Sequence, residues 1–132
     1  MVENLKKVLS ILNQQHKEVW LFAVLKMDEF VDSWSVIVSA PWVNEQNRDS
    51  EFTGLIGLLR DSLTKEELSS VVRIVFLGKN DHLIQELLKK KTGDIIKDEP
   101  INGNKIHEGY IIESNDSLIW QPNSLFKETT QS

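Results

Sequence analysis

The sequence predicts an α+β domain in which helices pack against one mixed β-sheet. Three observations predict this fold class. Some segments place apolar residues at helical spacing, whereas others are short runs rich in β-branched and aromatic residues. The predicted strands occur both side by side and separated by helices, in the order α-β-β-α-α-β-α-β-β. The 132 residues, 40% hydrophobic and 27% charged, suit one globular domain. We assign it to residues 1–121 and expect a flexible polar tail over 122–132.

The first three predicted elements are a helix and two strands. Residues 2–15 have an apolar stripe at helical spacing and should face the core. Residues 18–27 are apolar on both faces, as expected of a central strand that is covered on both sides. The next strand runs from Trp34 to Ala40, and Pro41 ends it because proline has no N–H to donate. The short link between these strands predicts an antiparallel hairpin.

Two helices are predicted after a polar loop at residues 44–51. The first covers residues 52–63 and contains Gly54 and Gly57, which we interpret as points of close packing against the sheet. Thr64 and Glu67 have the spacing of a capping box, so a short second helix should begin at residue 65.

The remaining predicted elements are a strand, a helix and a hairpin. The strand covers residues 71–77, and the following helix is capped by Asn80 or Asp81. This helix continues through three lysines to a glycine stop at Gly93. Residues 105–113 and 117–121 are the predicted strands of the hairpin. A helical link before residue 71 allows that strand to run parallel to the second one, and one strand is expected to lie unpaired at an edge of the sheet.

Composition makes several functional classes improbable. The net charge of −5 argues against nucleic-acid binding, which normally requires a basic excess. The chain has no cysteine, which removes disulfides and thiolate chemistry and suits a reducing compartment. No apolar run is long enough to span a bilayer, and no signal peptide is recognisable. We therefore expect a cytoplasmic protein without a membrane segment, and no cofactor is predicted.

Few residues suggest chemistry, and no catalytic residue is predicted. The sequence contains no phosphate-binding glycine loop, nucleophile elbow or magnesium-nuclease motif. Acidic side chains cluster in the first hairpin connection, and the histidines lack metal-ligand spacing. The candidates for a ligand or metal site are Asp28, Asp32, His82 and His107. The simpler interpretation is that these are solvated turn, helix and strand residues.

Tryptophan is the more informative residue type. Trp42 follows Pro41 directly, where a large exposed aromatic side chain is unfavourable. It either caps the core or anchors a partner, since tryptophan is enriched among the residues that dominate binding energies. The candidate partner contacts are Trp42, Val43 and Trp120, and the partner is either a second copy of the chain or another protein.

The segment from Trp34 to Trp42, Trp-Ser-Val-Ile-Val-Ser-Ala-Pro-Trp, together with Ser69 to Val75, resembles a small bacterial family of uncharacterised proteins. The resemblance covers roughly residues 18–90. It implies a bacterial cytoplasmic origin and transfers no catalytic residue.

Two functional hypotheses follow from the sequence. The first is a non-enzymatic interaction or regulatory domain that forms a homo-oligomer or binds another protein. The alternative is a domain that binds a small molecule or nucleic acid between its sheet and loops. Convergence of the candidate ligand residues in one pocket would favour the alternative.

Overall fold

The computed structural model describes residues 1–28, 32–101 and 103–115. The order of elements and the fold class are confirmed. The helices in these residues are α1 (Val2–Gln14), α2 (Arg48–Ser62), α3 (Lys65–Ser69) and α4 (His82–Leu87). The strands are β1 (Leu21–Met27), β2 (Trp34–Ser39), β3 (Val71–Phe76), β4 (Ile95–Ile101) and β5 (Asn104–Ser114). None of the described helices has the length and apolar character that crossing a membrane requires. The predicted strand at 117–121 and the tail at 122–132 lie outside the described residues.

The five described strands form one mixed sheet in the order β3-β2-β1-β5-β4. As predicted, β1 and β2 form an antiparallel pair, and β3 runs parallel to β2 after the crossover through α2 and α3. Strand β5 pairs with β1 on one side and with β4 on the other, and both pairs are antiparallel. The central position of β1 explains why its two faces are both apolar, because each must be covered.

Two hydrophobic clusters lie on opposite faces of the sheet. One packs α1 and α2 against alternate strand residues such as Phe22 and Val38, all of them buried. The other packs the short helix α4 against the other set, including Leu25 and Ile37. The period-two alternation along β1 and β2 thus assigns each side chain to one of the two clusters.

Helix α2 begins at Arg48, four positions before the predicted start at residue 52. The loop before it is fixed by two asparagines. The backbone N–H of Asn44 donates to Asn47 Oδ1 at 2.7 Å, and the N–H of Asn47 donates to Asn44 Oδ1 at 2.9 Å. Polar residues are common in the first turn of a helix, and the sequence interpretation mistook this turn for part of the loop.

The packing role assigned to the two glycines of α2 is wrong. A Cβ placed on Gly54 or Gly57 would meet no atom within 4 Å. Close packing occurs instead at Gly109 in β5, where an added Cβ would lie 2.7 Å from Leu25 Cδ2 and 3.3 Å from Ile106 Cγ2. The added Cβ would point to the face of the sheet that α4 covers, and only glycine fits there without rearrangement.

The predicted strand at 105–113 is present as β5, and its hairpin partner among the described residues is β4, which was not predicted. β4 covers residues that include Pro100, and the antiparallel pair that it forms with β5 turns at Gly103, which has φ of 82°. Strand β4 contains a polar run from Lys97 to Pro100. β4 tolerates this run because it lies at an edge of the sheet. On the outer side of an edge strand no backbone N–H has to donate to a neighbouring strand, so proline can be accommodated there. Asp98, with φ of 49°, interrupts the pairing.

Helix α4 is shorter than predicted, although its predicted Asp81 cap is present. Asp81 Oδ1 accepts from the backbone N–H of Leu83 at 2.9 Å. The helix ends at Leu87, so the lysines after it lie beyond its last turn. Gly93 adopts φ of 91° and donates its N–H to Ile111 O at 2.8 Å, which draws the chain back to the sheet.

The predicted capping box of α3 is present and also anchors α1. Glu67 pairs with the amino group of Met1 and accepts from Asn4 Nδ2 at 2.8 Å. The Met1 ammonium, the Thr64 backbone N–H and Asn4 together lower the pKa of Glu67 to about 2. The chain then enters β3 through Ser70, whose carbonyl accepts from Trp34 N–H at 2.8 Å. Glu67 therefore helps to hold the start of β3 in place.

Candidate functional site

Two of the four predicted ligand residues, Asp28 and His107, lie together. His107 Nε2 is 2.7 Å from Asp28 Oδ1, and the backbone N–H of Lys105 donates to Asp28 Oδ2 at 3.0 Å. The hydrogen bond with His107 is the main cause, and the Lys105 N–H the second, of a lowered pKa of Asp28. Within the described ranges, no group of three or more His, Cys, Asp or Glu residues is placed to hold a metal ion. The pair joins the end of β1 to β5 at the surface.

The other two predicted ligand residues are Asp32 and His82, and His82 lies far from the pair formed by Asp28 and His107, at the opposite end of the sheet. Asp32 is exposed in the connection between β1 and β2. His82 is exposed at the start of α4, which follows the C-terminal end of β3. Because β1 is antiparallel to β2 and β2 is parallel to β3, this end of the sheet is opposite to the one that carries Asp28. The four residues therefore do not line one pocket.

Trp42 makes the contacts of a side chain that caps the core. Its Nε1–H donates to Glu18 O at 2.8 Å, and its ring meets that of Phe76 edge-on with centroids 6.1 Å apart. Lys17 Nζ lies 5.4 Å from the Trp42 ring centroid. Trp42 and Val43 remain half-buried, so their role as partner contacts stays a prediction. Trp120 lies outside the described residues.

Strand β3 has an outward-facing backbone at one edge of the described sheet. β3 is the outermost strand beside β2, and the described residues place no further strand on its other side. Leu77 N–H donates to Val38 O at 2.9 Å, so alternation turns the backbone N–H groups of Ile74 and Phe76 away from β2. The side chain of Val72 is 45% exposed. β3 therefore presents hydrogen-bonding groups and apolar side chains to the exterior.

A groove runs between β3 and the first turns of α2. It has a volume of about 280 Å³ and is lined by Arg48, Asp49, Phe52 and residues 74–76. Arg48 Nη1 donates to Phe76 O at 3.1 Å and so marks one end of the exposed strand. The apolar side chains of this groove are those of Phe52 and residues 74–76, and they could contact side chains of a strand added beside β3.

The charged side chain of β3 is held by contacts within the chain. Arg73 is the one charged residue of this strand, and its Nε donates to the buried Ser35 Oγ at 3.0 Å. Its Nη2 lies 3.8 Å from Met27 Sδ, across the sheet. These contacts hold the guanidinium over the sheet.

The opposite edge strand, β4, has the features that prevent pairing. It carries Lys97, Asp98 and Glu99 in succession, an irregularity at Asp98 and a proline at position 100. Charge, bulges and proline are the usual means by which proteins block an exposed strand. The two edges of one sheet therefore differ. β4 has three successive charged residues and a proline, whereas β3 has one charged residue and a register shift at its N-terminal end, where Trp34 pairs with Val71 and Ser35 with Arg73. The stretch of β3 from Arg73 to Phe76 pairs regularly with β2 and is the better suited to accept a further strand.

Comparison of the chain with protein-family models, curated proteins and solved structures finds no match.

Proposed function

We propose that this protein is an association domain and that its partner is a second copy of the chain. The two copies pair through β3 in an antiparallel arrangement, which joins two five-stranded sheets. The observation that carries the proposal is the outward-facing backbone of Ile74, together with the outward N–H of Phe76, in an edge strand with a single charged residue. The carbonyl of Phe76 already accepts from Arg48 and is not part of the proposed pairing. Unpaired edge strands of this kind are templates for strand addition.

The sequence of β3 suits pairing with itself. Two-fold symmetry requires the same surface on both copies, and an antiparallel strand pair satisfies this requirement. With Ile74 opposite its own copy, the outward N–H and C=O groups face one another as a hydrogen-bonded pair. Arg73 then lies opposite Val75. A pairing centred on Arg73 would instead place two guanidinium groups opposite each other, which is unfavourable.

The expected affinity is modest. The strand contributes six residues, including the exposed Val72, and the neighbouring groove adds Arg48, Asp49 and Phe52. Such a contact is at the lower end of specific interfaces, which bury about 1,200–2,000 Å². We therefore expect a dissociation constant on the order of micromolar, so that dimer formation depends on concentration.

The same proposal includes the cellular setting. A non-enzymatic role in the bacterial cytoplasm follows the implication of the Trp34–Trp42 motif, and the cysteine-free composition supports a reducing compartment. No cofactor is proposed. Reversible pairing would allow the concentration of the protein to regulate the exposure of β3.

Sedimentation equilibrium of the wild type, Ile74→Lys and Ile95→Lys tests this function. The wild-type mass should rise with concentration from 15.2 kDa toward twice that value. Ile74→Lys should weaken dimer formation about a hundredfold, because two ammonium groups would replace two apolar side chains near the symmetry axis. Ile95→Lys is the control on the opposite edge, where Ile95 is 62% exposed on β4. Because Ile74 is half-buried against the cluster under α1 and α2, the free energy of unfolding of each variant is measured beside its mass.

Either of two results would reject the second copy as partner. One is a wild-type mass of a single chain at every concentration. The other is equal dimer formation by the two lysine variants. Circular dichroism of each variant establishes that the comparison is made between folded proteins.

A further inference from the structure

A second feature of the molecule is a cleft at the C-terminal ends of β2 and β3, which shares Arg48 and Phe76 with the groove beside β3. It has a volume of about 340 Å³. Its walls come from the start of β1, the loop after β2, the first residue of α2 and the loop between β3 and α4. Small-molecule sites have volumes of roughly 300–1,000 Å³ and occur beyond the C-terminal ends of parallel strands. The cleft thus has the size and position of a ligand site.

The charged side chains of the cleft are mainly basic, although the protein is acidic overall. Arg48 and Lys79 line it, and Asp81 is the one acidic residue of its walls. Asp81 already accepts a hydrogen bond as the cap of α4. Arg48 is held at the cleft by one hydrogen bond from Nη1 to Phe76 O, and a guanidinium has further N–H donors to offer. The cleft therefore favours an anion.

One wall of the cleft is aromatic and apolar. Trp20 contributes its ring, and Lys79 Nζ lies 5.6 Å from the Trp20 ring centroid. Val43, Phe76 and Leu77 continue this surface. The Trp20 Nε1–H is buried and has no acceptor among the described residues. A buried donor of this kind normally has a partner.

We propose that this cleft binds a small molecule that combines an anionic group with a planar ring. Arg48 and Lys79 hold the anionic group, and the ring lies against the wall formed by Trp20 and its apolar neighbours. The anionic group is a phosphate or a carboxylate, both of which accept hydrogen bonds from guanidinium and ammonium groups. Lys79 and Trp20 lie outside both β3 and the groove beside it, so they test this site apart from dimer formation, whereas Arg48 belongs to both.

Titration with small probes, followed by the indole N–H signals in ¹H–¹⁵N NMR spectra, tests the proposal. The probes are phenyl phosphate, benzoate, inorganic phosphate and the neutral benzyl alcohol. The chain has four tryptophans, and Trp20→Phe identifies the Trp20 signal by its loss. Phenyl phosphate or benzoate should shift this signal saturably, and the tighter of the two identifies the anionic group. Lys79→Gln should weaken that binding about tenfold, because it removes a charged hydrogen-bond donor.

Lys97→Gln provides the matched control, since Lys97 is exposed on β4 and its loss should leave the affinity unchanged. Absence of a saturable shift with both phenyl probes would overturn the proposal, as would equal affinities of the two glutamine variants. Binding of benzyl alcohol as tight as that of the anions would refute the role of charge. Equal affinity for inorganic phosphate and phenyl phosphate would refute the role of the ring. If Lys79→Gln loses probe binding but still forms the dimer in sedimentation equilibrium, the cleft and the β3 interface are separate sites.

Discussion

Ile74→Pro is expected to abolish self-association while the domain stays folded. The N–H of Ile74 points away from β2, so proline at this position removes no hydrogen bond from the sheet. It does remove one of the donors that the proposed dimer requires, and its ring occupies the space that the partner strand would enter. We expect dimer affinity to fall by at least about a hundredfold, since both symmetry-related hydrogen bonds at this position are lost.

Val75→Pro should have the opposite pattern of effects. Its N–H points toward β2, and proline there breaks the pairing between β2 and β3. We expect a loss of about 3 kcal/mol or more in the free energy of unfolding, as for other prolines that remove internal hydrogen bonds. Urea denaturation and sedimentation of both variants make the comparison. If Ile74→Pro unfolds as readily as Val75→Pro, the assigned direction of the two N–H groups is wrong.

Gly109→Val is expected to be among the most destabilising substitutions in the sheet. An added Cβ would approach Leu25 Cδ2 to 2.7 Å, and Leu25 is fully buried with little space to move. The two further methyl groups of valine increase the overlap. We expect a cost of about 3 kcal/mol for valine and about 1 kcal/mol for alanine, because overpacking a dense interior displaces side chains and backbone.

Gly54→Ala is the control for this prediction. A Cβ at Gly54 meets no atom within 4 Å, and alanine is preferred to glycine within a helix. Gly54→Ala should therefore raise the free energy of unfolding by about 0.5–1 kcal/mol. Urea denaturation of both variants measures these changes. An unchanged stability of Gly109→Val would contradict the packing described for β5.

The sequence predicted the elements whose signals are local. The apolar stripe of α1 and the doubly apolar β1 reflect burial on one face and on two faces, respectively, and the structure has both. The capping box of α3 depends only on Thr64 and Glu67, which are three residues apart. The strand–helix–strand order around β2 and β3 was sufficient to allow their parallel pairing.

The features that the sequence could not supply depend on distant contacts. β4 was not recognised as a strand because its run from Lys97 to Pro100 is tolerated only at an edge, and edge position depends on the whole sheet. Gly109 has no local signature, since its importance comes from Leu25 on a neighbouring strand. The sequence suggested close packing at Gly54 and Gly57 of α2, but the space around both glycines is open.

The candidate sites show the same division. Asp28 and His107 are 79 positions apart and meet because β1 and β5 are neighbours. The cleft that contains Trp20, Arg48 and Lys79 combines three separate segments, and none of the three was a candidate residue in the sequence. An unpaired edge strand was expected, but its identity as β3 required the strand order.

Residue-resolved amide hydrogen exchange of the wild type, measured by NMR at two protein concentrations, tests the central claim most directly. Leu77 N–H bonds to Val38 O within one chain and should be protected at both concentrations. The amides of Ile74 and Phe76 should be protected at high concentration and exchange much faster after dilution, because their acceptors belong to the second copy. Fast exchange of both amides at every concentration, with Leu77 still protected, would contradict pairing through β3.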